Sequence, residues 1–143
     1  LQNLNNAVGY FRSALEFYTA ADAPVRIAIT QTNLGDAYLA LSKISQSIDL
    51  FMKSLEAYRD AGKLFREQHH ITDYANNQAK LGAAYMELAA QNPGGTDILQ
   101  AIDCLEAGLE VLDRQSNPEE YERIQAQMDE ARRRLDAVGE GKG

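Results

Sequence analysis

Apolar residues recur along this chain at intervals of three and four positions, the spacing of one face of an α-helix. The pattern appears in six segments, and no segment alternates apolar and polar residues for long enough to predict a strand. The sequence therefore predicts an all-α fold with about six helices. The predicted helices are Leu4–Ala20, Pro24–Leu41, Ser45–Arg66, Thr72–Ala90, one that begins after Thr96, and one that begins after Asn117.

Residues that commonly start or stop helices mark the predicted boundaries. Pro24 and Pro118 suit the first turn of a helix, where the missing N–H costs nothing. Thr96 is expected to cap the fifth helix, and Asn117 with Glu120 has the spacing of a capping box for the sixth. Pro93 is expected to lie in a turn, and residues 139–143, which are rich in glycine, are expected to form a flexible tail.

One pattern, an apolar residue followed by glycine and then by tyrosine three positions on, occurs twice and is followed by an altered version. The versions lie 47 residues apart: Leu34-Gly35 with Tyr38, Leu81-Gly82 with Tyr85, and Met128-Asp129 with Arg132. We call the helices that carry this pattern A helices. The other three helices share a pattern of their own around Phe11, Phe51 and Leu105, and we call them B helices.

The order of helices along the chain is therefore B, A–B, A–B, A. Repetition at a fixed period predicts stacked helix pairs, each of which cannot bury its apolar face alone. The expected parts are a half-repeat over 1–21, repeats over 24–68 and 71–115, and a terminal helix over 117–138. Because the chain begins at Leu1 without an initiator methionine, we expect it to be a piece of a longer protein.

Composition excludes several classes of partner. The net charge is −7 and the isoelectric point is near 4.8, so we expect no binding to nucleic acid or to an anionic membrane surface. The basic run Arg132–Arg134 is flanked by acids and fits a solvated helix face better than a nucleic-acid patch. No apolar run reaches the roughly 18 residues of a membrane span. A single cysteine, Cys104, fits a reducing cytoplasmic compartment.

The chemistry-bearing residues do not form the spacing of a known active site. Adjacent histidines His69 and His70 would point about 100° apart on a helix and lack a partner at metal-ligand spacing. Cys104 lies among apolar residues of a B helix, where a packed thiol is expected. We therefore expect a non-enzyme without cofactor or metal.

The repeated residues carry a resemblance to the tetratricopeptide repeat family. In that family a Leu-Gly pair precedes Tyr in helix A, and small and large apolar residues alternate in helix B, as in Ser47, Phe51 and Ser54 here. The period of 47 residues exceeds the standard 34. The chain is thus similar to the long-helix versions in bacterial signalling proteins. The resemblance implies a right-handed superhelix of antiparallel helix pairs, with the A helices lining a concave groove.

The resemblance also implies where a ligand would lie. Many family members place an asparagine just before the Leu-Gly pair, where it holds a peptide backbone, and Asn33, Lys80 and Gln127 occupy this position here. The positions expected to contact a partner are Asn33, Asp36, Leu39, Asn76, Lys80, Met86, Arg123 and Gln127. Asp129 replaces the glycine in the last version, so the last helix is expected to serve as an outer cap.

The expected function is recognition of a peptide or helix from a partner protein, within a larger cytoplasmic scaffold or signalling protein. The alternative is a structural spacer that packs against another copy, or against the rest of its parent chain. The half-repeats at both ends motivate this alternative, in which a homodimer would form through Val8, Phe11 and Leu15. The sequence leaves both open.

Overall fold

A computed structural model describes residues 1–92 and 94–141, and this part of the chain is helical with no strand. The six helices are α1 (Gln2–Ala20), α2 (Pro24–Ser45), α3 (Ile48–Glu67), α4 (Ile71–Gln91), α5 (Thr96–Val111) and α6 (Pro118–Gly141). The predicted all-α class with six helices is therefore confirmed. The chain divides into two compact units, Leu1–His70 and Ile71–Gly143, which we call unit 1 and unit 2.

Most helix boundaries follow the residues that predicted them. Both α2 and α6 begin at a proline. The hydroxyl of Ser47 caps α3 by accepting a hydrogen bond from the backbone N–H of Leu50 at 3.3 Å. The prediction that Thr96 caps α5 is wrong. The cap residue is Gly95, which makes no side-chain cap hydrogen bond. Its φ of 85° is in the left-handed region that favours glycine, so the backbone conformation of the turn determines where the helix starts. The predicted turn residue Pro93 lies outside the described residues.

Two helices extend further than their periodicity alone predicted. The second helix continues to Ser45 and ends where Gln46 adopts a left-handed conformation, with φ of 54°. The last helix continues to Gly141, three residues into the predicted tail, because glycine weakens a helix without stopping it as proline does. The rest of that tail, residues 142–143, lies outside the described residues. As predicted, α3 passes through Gly62, which is buried.

In unit 1, α2 packs against both α1 and α3. The hairpin of α2 and α3 holds the fully buried side chains, among them Leu55 and Tyr58 at 2% and 1% exposure. None of the residues of α1 is fully buried. Its apolar stripe through Val8, Phe11 and Leu15 is half-buried, while Tyr10 and Phe17 are 75% and 69% exposed.

In unit 2, α5 packs against α4 and α6, and α4 and α6 also touch each other. The core lies between the three helices and includes Leu105, Ile124 and Met128, each at 1% exposure or less. This arrangement buries a continuous apolar cluster, which is the main favourable term in folding.

Glycine lets the A helices approach their B helices closely. A Cβ added to Gly35 of α2 would lie 2.7 Å from Cε1 of Tyr58 on α3. One added to Gly82 of α4 would lie 3.1 Å from Cγ of Leu105 on α5. On the B side, one added to Gly108 would lie 3.2 Å from the carbonyl oxygen of Ala75. The repeated glycines of the sequence thus correspond to helix contacts of the same kind in both units.

None of the described helices combines the length and the apolar character that crossing a membrane requires.

Candidate functional site

A groove of about 650 Å³ lies in unit 2 between the two A helices, α4 and α6. Its apolar lining residues on α4 and α6 are small or flexible, and Leu105 is the lining residue that α5 contributes. We call it the A-helix groove, and its lining residues are Gly82, Ala83, Met86, Glu87, Ala90, Leu105, Arg123, Ala126, Gln127, Glu130 and Arg134.

The short side chains explain why the space is open. Ala83, Ala90 and Ala126 are exposed to solvent and project only a methyl group into the groove. Met86 is half-buried and supplies an unbranched, polarizable side chain that adapts to the shape of a bound group. Helical spacing places Ala83, Met86 and Ala90 on one face of α4. The groove can therefore receive an apolar side chain.

Charged side chains on α6 form the rim of the groove and bind each other. The Glu130 carboxylate accepts hydrogen bonds from Arg134 at 3.1 Å and from Arg133 at 2.5 Å. The hydrogen bond from Arg134 and the positive charge of Arg133 lower the pKa of Glu130. This carboxylate is thus ionised at neutral pH, and the rim near it has both signs of charge.

Gln127 supplies an uncharged polar group to the α6 side of the groove. Its side-chain oxygen Oε1 is shielded from solvent and has no hydrogen-bond partner. A buried amide oxygen without a partner is costly, so a donor brought by a ligand would be favourable. The primary amide can both donate and accept, which matches the main chain of a peptide.

Three of the residues predicted as partner contacts line the A-helix groove: Met86, Arg123 and Gln127. A fourth, Asn76, lies beside them, because its side-chain oxygen accepts a hydrogen bond from Arg123. Lys80 is half-buried and is not among the lining residues. The structure therefore brings together most of the set predicted for unit 2.

The three residues predicted in unit 1 have different surroundings. Asn33 is exposed and Leu39 is half-buried on α2. The carboxylate of Asp36 accepts a hydrogen bond of 2.5 Å from the hydroxyl of Tyr58. Burial, together with this hydrogen bond and the charge of Asp36, raises the pKa of Tyr58. Asp36 therefore takes part in a contact between α2 and α3.

Unit 1 has a groove of its own, of about 450 Å³, which lies between its two B helices and α2. The A helix contributes Gln31, Leu34 and Tyr38 to it, instead of the predicted set. The ammonium group of Lys53 lies 5.8 Å from the centre of the Tyr38 ring. The charged groups that line this groove come from its two B helices, and they are Arg12 and Glu16 of α1 and Lys53, Glu56 and Asp60 of α3.

The predicted contact set left out the other eight lining residues of the A-helix groove, which are Gly82, Ala83, Glu87, Ala90, Leu105, Ala126, Glu130 and Arg134. Three of them continue the helical spacing of predicted positions, since Glu87 follows Lys80 by seven residues, Ala90 follows Met86 by four and Arg134 follows Gln127 by seven. Extending that spacing by one or two turns would have found these three. Leu105 comes from a B helix, and its place in the groove requires the packing of α5 against α4.

Among residues 1–92 and 94–141 no group of three or more His, Cys, Asp and Glu side chains is arranged to hold a metal ion. Cys104 is half-buried and forms no disulfide. His69 and His70 are exposed in the turn between α3 and α4.

Comparison with known proteins adds information on the fold alone. No protein-family model matches the sequence, and no curated protein matches it. A solved structure described as "DHF58 filament" is similar, with a TM-score of 0.51 and 18% sequence identity. The match covers 98% of this chain and 79% of that chain. It supports the helical architecture described above.

Proposed function

We propose that this chain is a protein–protein interaction module that binds a peptide or helix of a partner protein in the A-helix groove. The observation that carries the proposal is the open apolar space of about 650 Å³ between α4 and α6. An apolar groove with a few polar groups at its walls is the usual form of a ligand site. The occupant that fits is a peptide segment with one large apolar side chain.

The contacts divide into an anchor and groups that fix the register. An apolar side chain placed against Met86, Ala126 and Leu105 would contribute about 1.5–3 kcal/mol on full burial. The amide of Gln127 would pair with the peptide main chain, which orients the segment without regard to its sequence. Affinity would therefore depend on the anchor, as in other interfaces where few residues dominate.

The setting of the module rests on sequence resemblance. The Leu-Gly-x-x-Tyr pattern is similar to tetratricopeptide repeats, and we propose on this basis a non-catalytic part of a cytoplasmic scaffold or signalling protein. The partner is a protein, and the acidic balance of the chain disfavours nucleic acid and anionic membrane. We propose no cofactor, because the groove offers side chains suited to a peptide.

A peptide display selection against the full chain tests the proposal. Selected peptides are then measured by fluorescence anisotropy against two variants that each place a carboxylate at an exposed alanine of α6. Ala126→Glu fills the groove, and Ala137→Glu, which lies outside the lining set, is the matched control. We expect Ala126→Glu to weaken the affinity for the peptide at least tenfold, or by about 1.4 kcal/mol in binding free energy, and the control to change it little. Equal binding to both variants, or a selection without binders, would contradict the proposal.

An assembly role is the second candidate, and the exposure of Tyr10 and Phe17 on α1 favours it. Large exposed apolar patches mark interaction sites. In this case the chain would be a spacer that packs against another copy through α1. Light scattering at several concentrations separates the two functions, because a monomer with binding activity supports recognition and a tight dimer supports assembly.

A further inference from the structure

The groove of unit 1 has the size and the mixed lining of a small-molecule site. Its volume of about 450 Å³ is within the range of roughly 300–1,000 Å³ that such sites occupy. Its apolar lining residues come from all three helices of the unit. Leu34 of α2 and Ala57 of α3 are buried, while Leu15 of α1 and Tyr38 of α2 are half-buried.

The charged side chains of this groove are sorted by sign along its length. Turns of two and three residues join the three helices, so α1 and α3 both run antiparallel to α2 and parallel to each other. The repeat pattern aligns Glu16 of α1 with Glu56 of α3. Arg12 and Lys53 precede these two glutamates by four and three residues, about one helical turn. The groove therefore has a basic end, Arg12 and Lys53, and an acidic end, Glu16, Glu56 and Asp60.

These five charged side chains do not neutralise one another. All five are exposed, and none of them is in an ion pair within residues 1–92 and 94–141. Lys53 instead lies with its ammonium group 5.8 Å from the centre of the Tyr38 ring. Both ends can therefore pair with the charges of a ligand.

Gln31 adds an acceptor that needs a donor. Its side-chain oxygen Oε1 is shielded from solvent and has no hydrogen-bond partner, and the residue lines the groove. Tyr38, which contacts Lys53, marks the basic end on α2. Gln31 is seven residues nearer the start of this antiparallel helix, so it is displaced by about 10 Å toward the acidic end. An amide oxygen beside carboxylates is satisfied by a positively charged donor, such as an ammonium group.

We propose that the groove of unit 1 binds free peptides of two or three residues as zwitterions, independently of the recognition proposed for the A-helix groove. Lys53 is separated along α3 from Glu56 by about 4.5 Å and from Asp60 by about 10.5 Å. Extended residues span about 3.3–3.6 Å each, so two or three of them bring opposite terminal charges to this separation. A single amino acid is too short to reach both ends.

Each part of the lining has a role in holding such a peptide. The terminal ammonium group would donate to Oε1 of Gln31 and pair with the acidic end. The terminal carboxylate would accept hydrogen bonds from Arg12, whose planar guanidinium matches its geometry, and from Lys53. Apolar side chains of the peptide would lie against Leu15 and Leu34. Selection is then for two free termini at a fixed separation and for apolar side chains between them.

An NMR titration of the full chain with leucyl-leucine tests the proposal. The amide signals of Gln31, Leu34 and Lys53 should shift and give a dissociation constant. Acetylation of the peptide's amino terminus, or amidation of its carboxyl terminus, should each weaken the affinity at least about tenfold, because a hydrogen-bonded charge is removed. Free leucine should bind at least as weakly as the blocked forms. Equal affinity for the blocked and free dipeptides, or the absence of shifts at these amides, would overturn the proposal.

Two exposed lysines of α3 provide a matched pair of variants. Lys53→Gln should weaken binding of leucyl-leucine but not of its amidated form, which has no carboxylate, whereas Lys63→Gln outside the groove should change neither. Gln31→Met, which keeps the size of the side chain and removes the acceptor, should also weaken binding. Ala126→Glu should bind the dipeptide as the wild type does, which separates this site from the A-helix groove. Equal losses in the two lysine variants, or an equal loss for the amidated form in Lys53→Gln, would refute the assigned contacts.

Discussion

At the scale of single residues, the contacts of glycine decide how close the helices come. Gly35 has no room for a methyl group, because Tyr58 is 1% exposed and fixed by its hydrogen bond to Asp36. Gly9 on α1 has nothing within 4 Å of the position of an added Cβ. The two glycines therefore respond differently to the same substitution.

We expect Gly35→Ala to lower the free energy of unfolding by about 1–2 kcal/mol, because overpacking against Tyr58 outweighs the gain in helix propensity. Gly9→Ala should raise it by about 0.5–1 kcal/mol, since only the propensity changes. Urea denaturation of both variants checks the pair. A stabilised Gly35→Ala would show that Tyr58 yields without cost.

The hydrogen bond from Tyr58 to Asp36 predicts a dependence of stability on alkaline pH. The pKa of Tyr58 is raised in the folded chain, so above pH 10, the ordinary pKa of the phenol, the unfolded chain releases a proton that the folded chain keeps. The contribution of the Tyr58 phenol to the free energy of unfolding is therefore complete below pH 10, and it is lost as the pH rises further.

Tyr58→Phe should lower the free energy of unfolding by about 1.5–3 kcal/mol at neutral pH, because the hydrogen bond to a charged acceptor is removed. Above pH 10 this difference between wild type and variant should shrink, since only the wild type carries the titrating phenol. Denaturant unfolding at a series of pH values measures it. A difference that stays constant through the alkaline range would refute the assigned pKa shift.

At the scale of elements, α1 differs from the other helices because none of its residues is fully buried. Backbone groups exchange hydrogen fastest where few apolar contacts hold the helix in place. We expect the amides of α1 to exchange much faster than those of α2 and α3, as measured by hydrogen exchange with mass spectrometry. Protection of α1 equal to that of α3 would contradict this expectation.

The apolar periodicity and the residues that start or stop helices predicted the helices, because each of these signals depends only on neighbouring residues in the sequence. The starts at Pro24 and Pro118 and the passage of α3 through Gly62 follow from the chemistry of those residues. The start of α5 was predicted one residue late, because the conformation of Gly95 depends on the whole turn. Local signals cannot report it.

The candidate site was predictable to the extent that it lies on the A helices. Met86, Arg123 and Gln127 line one groove because they share a face on helices that the repeat pattern had identified. Asp36 shares the same pattern, yet its carboxylate binds Tyr58, a residue 22 positions away. Such a contact between helices is decided by packing, and periodicity does not contain it.

At the scale of the molecule, the net charge is confined to one unit. Unit 1 has seven basic and seven acidic residues, whereas unit 2 has seven basic and fourteen acidic ones. The whole formal charge of −7 therefore belongs to the unit that contains the A-helix groove. A field of this sign attracts basic partners and raises their association rate.

We expect peptides selected on the groove to carry Lys or Arg outside the apolar anchor, and their affinity to fall as salt is added, because surface charges are screened over about 10 Å at 0.1 M. Anisotropy titrations at increasing ionic strength measure the effect. Selected peptides that are acidic, or whose binding is insensitive to salt, would show that the field of unit 2 has no part in recognition.

The measurement that tests the central claim most directly is a backbone-amide NMR titration of the full chain with a selected peptide. If the A-helix groove is the binding site, the amides whose chemical shifts change should cluster at Gly82, Ala83, Met86, Ala126 and Gln127. In the Ala126→Glu variant, the same addition of peptide should leave these chemical shifts unchanged. Perturbations centred on Tyr38 and Lys53 in the groove of unit 1, or spread over both units without a cluster, would contradict the account.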